Sequence, residues 1–416
     1  MKIKLYFLTV LLFPSLSGAA QVTLEGCYRK GRENYPLIRQ KKLIEQAKEY
    51  NLSNASKGYL PQMQFTAKAS YQSDVTKVPL KIEGIEAMNK DQYGLTLDLS
   101  QTIWDGGEIQ SKKQEIRTAS EVDQSEWEVN MYTIRDRINQ LYFGILLLDA
   151  QLRQNDLYQE DLKENYDKIE SYVENGVAHQ ADLDAVKVEW LKAKQSRVEL
   201  VQTRSAYLDM LSSFVGEDLP PEAALEKPAG RYATPIEIAR PELARFDAQI
   251  KNFEAQHNQV NAGLMPKLGL FATGGYGRPS LDMLANDFEA YFVGGIRLSW
   301  NIGNFYTQKG RKRLIATGIR SVETQRETFL FNTRQEVTRN EKEIASYREQ
   351  LQYDDEIIAL RTSVRRSSEA KMANGTLSGI DLVRDIHAEY RSIEDKNLHE
   401  IEMLLALYHL KFITNH

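Results

Sequence analysis

The sequence predicts a mostly α-helical protein that carries a small β portion of the membrane-barrel kind. Three observations carry that prediction. Apolar residues recur every three or four positions over very long, proline-free runs. A few short stretches switch instead to strict alternation. The whole plan is then written a second time in the same chain.

The strands come first. In "YLPQMQFTAKASY" (59–71), Met63, Phe65, Ala67, Ala69 and Tyr71 fall on one face, and Gln64, Thr66, Lys68 and Ser70 on the other. Pro61 stands where the helical pattern stops, since proline cannot continue a helix. A second strand is predicted in "YGLTLDLSQTIWDGG" (93–107), with Tyr93, Leu95, Leu97, Leu99 and Ile103 on one face. The polar stretch 74–91 makes the pair a hairpin. "GLMPKLGLFATGGY" (263–276) and "GGIRLSWNIGN" (294–304) repeat the arrangement around a loop at 277–289, with Ile296, Leu298, Trp300 and Ile302 sharing a face. The interval from Pro61 to Pro266 equals that from Tyr71 to Tyr276. Lys68, Asp98, Lys267 and Arg297 all lie opposite the apolar residues, and Tyr71, Tyr93 and Tyr276 lie at strand ends, as aromatic girdles do. A soluble sandwich would also alternate, but it needs a core partner, and the sequence offers no further strands. Four strands, apolar on one side and charged on the other, fit a piece of a membrane barrel.

A very long helix is predicted after each hairpin, over about 107–174 and 305–373. In the first, Trp127, Met131, Ile134, Ile138, Leu141, Ile145, Leu148 and Leu152 alternate steps of four and three, and Leu162, Tyr166, Ile169 and Val173 resume the register. This heptad pattern predicts supercoiling with neighbouring helices, and the helix would reach roughly 100 Å. In the second, Leu330, Val337, Ile344, Leu351 and Ile358 recur at every seventh position. Both end at Asn-Gly, Asn175-Gly176 and Asn374-Gly375, which suits a left-handed cap. A return helix of about half the length follows each, carried by Leu183, Val186, Trp190 and Leu211 in one and Val383, Ile386, Tyr390 and Leu407 in the other. Helices before the hairpins, about 23–57 and 237–262, supply the missing halves if stacked end to end. The predicted organisation is a signal peptide (1–20), a first repeat (21–215), a Pro/Gly-rich linker (216–236) and a second repeat (237–416).

Composition excludes several functions. With 53 basic and 58 acidic residues there is no basic excess that would point to nucleic acid. A single cysteine, Cys27, rules out an intrachain disulfide and a thiolate metal cage, and the six histidines show no ligand spacing. No catalytic constellation or cofactor motif is present: "TGGYGRP" (273–279) continues a strand and opens no helix, and "HAE" (387–389) lies on a heptad helix. At the start, Lys2 and Lys4 precede "LYFLTVLLF" and "PSLSGAAQ", which reads as a secretory signal cleaved near Ala19 or Ala20; a buried N-terminal helix is the alternative. Cys27 follows "LEG", but Glu25 stands where a lipidation site has a small residue, so the reading taken is an ordinary helix-face cysteine.

Taken in order, "TLEGCYRKGRENYPLI", "YLPQM" and "LMPKL", "IWDGG", "RPEL" (240–243), "NGVAHQADLDA" and "NGTLSGIDLVR" make the chain resemble the TolC-type outer-membrane efflux protein family. The resemblance covers essentially the whole mature chain and departs at "IGNFY" (302–306), where an Asp-Gly-Gly is expected. It implies a homotrimer in which each protomer gives four strands to a shared twelve-stranded barrel and long helices to an α-helical tunnel. It also implies an exit duct of an efflux or type I secretion system, with no enzymatic activity. The duct would sit in the outer membrane of a Gram-negative-type cell, its tunnel in the periplasm, in contact with outer-membrane lipid, a periplasmic adaptor protein and an inner-membrane transporter. Lys68, Asp98, Lys267 and Arg297 are then expected to face the lumen. The tip turns Asn175, Gly176, Asn374 and Gly375 are expected to meet a partner. Asp381 matches the first member of the family's acidic pair at the periplasmic entrance. Arg384 occupies the second place, with Asp385 beside it, and Asp182 is the equivalent of Asp381 in the first repeat. The family's latch places hold Met372 and Leu377. The rival reading is a non-pore periplasmic coiled-coil adaptor, which would share the helical hairpins but not the amphipathic strands.

Overall fold

A computed structural model describes residues 22–76, 88–230, 237–282 and 285–415. The expected signal peptide lies outside them. The first repeat comprises α1 (Leu24–Asn34), α2 (Ile38–Ser56), β1 (Gln62–Tyr71), β2 (Asp91–Trp104), α3 (Glu108–Tyr132), α4 (Ile134–Glu174) and the return helix α5 (Gln180–Val215). The second comprises α6 (Pro241–Ala262), β3 (Lys267–Arg278), β4 (Glu289–Ser299), α7 (Asn304–Ala373) and α8 (Gly379–Thr414).

Two helices differ from expectation. The stretch 23–57 is split because Pro36 drives the residue before it out of the helical region, and Tyr35 stands at φ −61°, ψ 132°. The stretch 107–174 is interrupted at Thr133, whose hydroxyl donates to the Asn130 carbonyl at 2.8 Å, a local bond that competes with the helix ladder. α6 opens on Pro241, the position where a missing amide costs nothing.

The chain forms two compact units, each drawn from both repeats. Residues 39–129 and 241–330 make up the unit that holds the sheet. The four strands are antiparallel in the order β1-β2-β3-β4, so the two predicted hairpins join through β2 and β3. Register settles the faces. Phe65, Leu97, Gly274 and Phe292 form one cross-strand row, and Gln64, Asp98, Thr273 and Val293 form the next, pointing the other way. The register shifts between Thr102 and Trp104, so Trp104, opposite Leu268, carries the apolar parity expected of Ile103. At the foot of β2 the Asp105 carboxylate accepts from the amides of Gly107 (2.9 Å) and Ile109 (2.6 Å) and so caps α3. This is what "IWDGG" encodes. The second repeat makes the same corner differently, with the Asn304 side-chain amide donating to the Gly263 carbonyl at 2.8 Å.

Residues up to 38, 130–240 and 331 onward make up the second unit. Its core contains the heptad positions Ile134, Ile138, Leu141, Ile145 and Leu148 of α4, with Tyr142, Phe143, Leu211 and Leu410. The described part of the stretch read as a linker, 216–230, is strapped to this core. Leu225 bridges Val22, and the Tyr142 hydroxyl lies 2.7 Å from the carbonyls of both Val22 and Glu226. Arg204 donates to the Ala223 carbonyl at 2.9 Å. Cys27 is buried in α1, and burial pushes its thiol up to about 11, the behaviour of an inert core cysteine.

Candidate functional site: the sheet faces and the helical tips

In the sheet unit, Lys68, Asp98, Lys267 and Arg297 share one face, as their parity requires. Asp98 is held by hydroxyls from two strands, Thr273 at 2.6 Å and Thr96 at 3.3 Å. Arg297 lies 4.6 Å over the Phe271 ring, and Lys267 pairs with Glu108 at the start of α3. The other face presents Met63, Phe65, Leu95, Leu97, Leu99, Phe292, Ile296 and Leu298 to the outside of the chain; Phe65 is 68% exposed and Phe292 71%. Near the loops, Tyr93 and Tyr276 stack with Phe288 at 6.2 and 5.8 Å.

In the other unit, both long helices end in the same cap. The amides of Val177 and Gly176 reach back to the carbonyls of Tyr172 (2.8 Å) and Val173 (3.0 Å), and those of Thr376 and Gly375 to Lys371 (3.0 Å) and Met372 (2.9 Å). Gly176 (φ 72°) and Gly375 (φ 67°) supply the left-handed residue this motif needs. The side-chain amides of Asn175 and Asn374 donate to Ser171 (2.7 Å) and Ala370 (2.8 Å), finishing each turn.

Asp182 and Asp381 occupy the same place in sequence and in helix, but their surroundings differ. Asp381 caps its own helix with Ser378, whose hydroxyl lies 2.8 Å from the carboxylate, and pairs with Arg384 at 3.0 Å; the Arg384 side chain is 71% exposed. Asp182 is 7% exposed. One of its oxygens accepts from the His179 amide at 3.2 Å and the other from the Gly379 amide of α8 at 2.8 Å, so it caps the start of both return helices. Gly379 permits this approach, since a Cβ there would stand 2.6 Å from that of Asp182. Asp385 accepts from the buried Ser368 of α7 at 2.6 Å, so it is engaged in packing rather than in the exposed Asp381–Arg384 pair. Met372 is buried in the tip core with Leu162, Ile169, Leu183, Val186, Leu382 and Ile386, and Leu377 packs against it.

A further polar cluster escaped the sequence reading. Arg365 of α7 donates to Asp161 of α4 at 2.8 Å and forms an ion pair with Glu389 of α8 at 2.7 Å, tying three helices together. Only spacing along single helices is visible in a sequence, and these partners lie on different ones. Among the described residues there is no His/Cys/Asp/Glu group able to hold a metal, and no helix is long and apolar enough to cross a membrane.

Residues 27–217 match the family model described as "Outer membrane efflux protein". Over those residues the chain belongs to the TolC-type outer membrane efflux protein family. No curated protein matches its sequence. Among solved structures, the outer-membrane channel OprN superposes with a TM-score of 0.71 at 14% identity, covering 94% of this chain and 89% of its own. CmeC, an outer membrane channel of Campylobacter jejuni, gives 0.68 at 12%, covering 94% and 85%. The outer membrane protein VceC of Vibrio cholerae gives 0.67 at 13%, covering 93% and 95%. At these identities the likeness is one of fold: long helices with a four-stranded antiparallel sheet. Members of the TolC-type family are non-catalytic outer-membrane channels whose helical part projects into the periplasm.

Proposed function

We propose that the chain is one subunit of a homotrimeric exit duct. Three sheets close into a twelve-stranded barrel, and the helices form a tunnel that takes solutes or proteins from an inner-membrane transporter through a periplasmic adaptor. One observation carries this reading: the sheet has an exposed apolar face and two unpaired edges, at β1 and β4. Open edges cannot face hydrocarbon, because each unpaired backbone group costs several kcal/mol there. Four strands are also fewer than the smallest barrels of about eight. Closure by other copies resolves both problems. The apolar face then meets lipid, and Lys68, Asp98, Lys267 and Arg297 line the water-filled bore. Repeats 21–215 and 237–416 each contribute one hairpin and one pair of tip-forming helices. The turns Asn175-Gly176 and Asn374-Gly375 meet the adaptor, and Asp381 with Arg384 borders the entrance.

A non-pore coiled-coil adaptor would have no use for an amphipathic sheet. Crosslinking in detergent, followed by planar-bilayer recording, tests the choice. A three-subunit limit and a conductance that requires the trimer are expected. A stable lipid-inserted monomer would overturn the reading.

A further inference from the structure

We propose that the first turns of α7 form a docking strip for anionic phospholipid headgroups at the periplasmic edge of the outer membrane. This inference rests on the membrane reading of the sheet given above. From Ala290 to Val322 the chain contains no Asp or Glu, yet it carries Arg297, Lys309, Arg311, Lys312, Arg313 and Arg320. The same place in the first repeat is balanced: Glu108 pairs with Lys267, and Lys112 with Glu115 at 2.7 Å. On α7 the first cation to make an ion pair is Arg326, with Asp247 at 3.4 Å. The five cations from Lys309 to Arg320 have no ion-pair partner among the described residues. Like charges crowded on about three turns of helix repel one another, and an external anion relieves that repulsion.

The stripe has a direction. Tyr306, Lys309, Arg313 and Arg320 recur at helical spacing and so share one face. Ile315 and Val322, the buried residues of these turns, lie on the opposite face. Tyr306 is 87% exposed, more than any other large hydrophobic side chain described.

The stripe also has an order. Ile296 and Leu298 end the apolar face of β4. Trp300 and Ile302 continue its alternation into the corner and remain exposed, Tyr306 follows, and the cations come last. Aliphatic, aromatic, then basic is the sequence of environments met on leaving a bilayer: hydrocarbon, interface, headgroup. Helical rise places Lys309 and Arg313 about 8 and 14 Å past the start of α7, and their long side chains can reach back toward the interface. Lysine and arginine donate charge-assisted hydrogen bonds to phosphate oxygens, so the ligand chemistry is a phosphodiester carrying net negative charge.

The test uses the purified full-length protein in nanodiscs of phosphatidylcholine containing a minor fraction of phosphatidylglycerol. Trimer and conductance are verified first in phosphatidylcholine alone. Lipid retained after transfer to detergent is then counted by mass spectrometry. Wild type is expected to retain phosphatidylglycerol in excess over its share of the disc. The triple variant Lys309→Gln/Arg313→Gln/Arg320→Gln should weaken that preference by about fivefold per charge removed at low salt, and high salt should erase it. The charge-keeping set Lys309→Arg/Arg313→Lys/Arg320→Lys should retain it.

The inference is overturned if wild type retains both lipids in proportion, if the preference survives the triple variant, or if inorganic phosphate at the same phosphate concentration displaces the lipid. It is overturned equally if the triple variant alters ion preference, which would place the stripe in the bore, or loses the trimer, which would place it between subunits. A protein that conducts as a trimer yet shows no lipid preference sinks this inference alone. One that inserts in neither lipid sinks the membrane reading beneath it.

Discussion

Replacing Asp182 with alanine should loosen both tips while leaving the rest of the protein intact. The carboxylate joins two helix starts, accepting from the Gly379 amide at 2.8 Å and the His179 amide at 3.2 Å. Loss of a helix cap costs about 1 kcal/mol. The Gly379 amide would be left buried and unpaired, which adds about 1–3 kcal/mol. The expected local destabilisation is therefore about 2–4 kcal/mol. Asp182→Asn keeps one acceptor oxygen and should lose roughly half of that. Hydrogen exchange of the trimer, read on peptides spanning the two tip turns, measures the effect directly. Exchange there should speed up by roughly thirtyfold to several hundredfold in Asp182→Ala, with peptides of the sheet unchanged. If the amide of Gly379 exchanges at the wild-type rate, the capping role is wrong. If Asp182→Asn instead shifts the reversal potential of the channel, the carboxylate belongs to the bore.

Other outcomes follow from the same geometry. Leu97→Arg should cost about 2–4 kcal/mol near the bilayer midplane, whereas Asp98→Arg should be tolerated and change ion preference; labelling of cysteines placed at 97 and 98 by a membrane-impermeant reagent reports the register, and reactivity at 97 alone would reverse the assignment. Arg384→Ala should leave stability nearly unchanged, since so exposed a pair is worth about 0–1 kcal/mol, but should raise cation preference and block by multivalent cations; an unchanged reversal potential would move the constriction elsewhere. The ring nitrogens of His409 lie 3.2 Å from the Asp136 carboxylate and 3.3 Å from that of Glu336, each of which accepts when the nitrogen facing it carries a proton. The hydrogen bond to Asp136, against the opposing effect of burial, holds its pKa above 6.5. A raised folded pKa stabilises fully below the unfolded value and fades as pH rises through the folded one. Wild type should therefore melt higher than His409→Gln below pH 6.5, with the gap closing at higher pH; a gap independent of pH would refute this.

Local features were legible in the chain and distant partnerships were not. Alternation placed the four strands and their charged face, because a one-residue slip would reverse every side chain. The two Asn-Gly pairs located both tips, because a left-handed residue leaves few options. Pro36 carries a signal for the break between α1 and α2, although the single helix expected over 23–57 ran through it. The interruption at Thr133 had no such signal: threonine occurs in many unbroken helices. Asp182 and Asp381 looked alike because each is placed by its own turn. What separates them is Gly379, 197 positions from Asp182. Heptads likewise report which face of a helix is buried but not which helix covers it, so the Arg365 cluster stayed hidden.

The strand order has a consequence for biogenesis. Each hairpin joins strands consecutive in the chain and can form as soon as its own strands emerge. The seam between β2 and β3 cannot: the Thr273 hydroxyl that meets Asp98 arrives 175 residues later. Loop-closure entropy makes such a contact slow to find. Two half-sheets, each with an uncovered apolar face, must therefore coexist in the periplasm before they are zipped together. During that interval the chain is most exposed to aggregation, and a holding chaperone would bind there with the greatest effect.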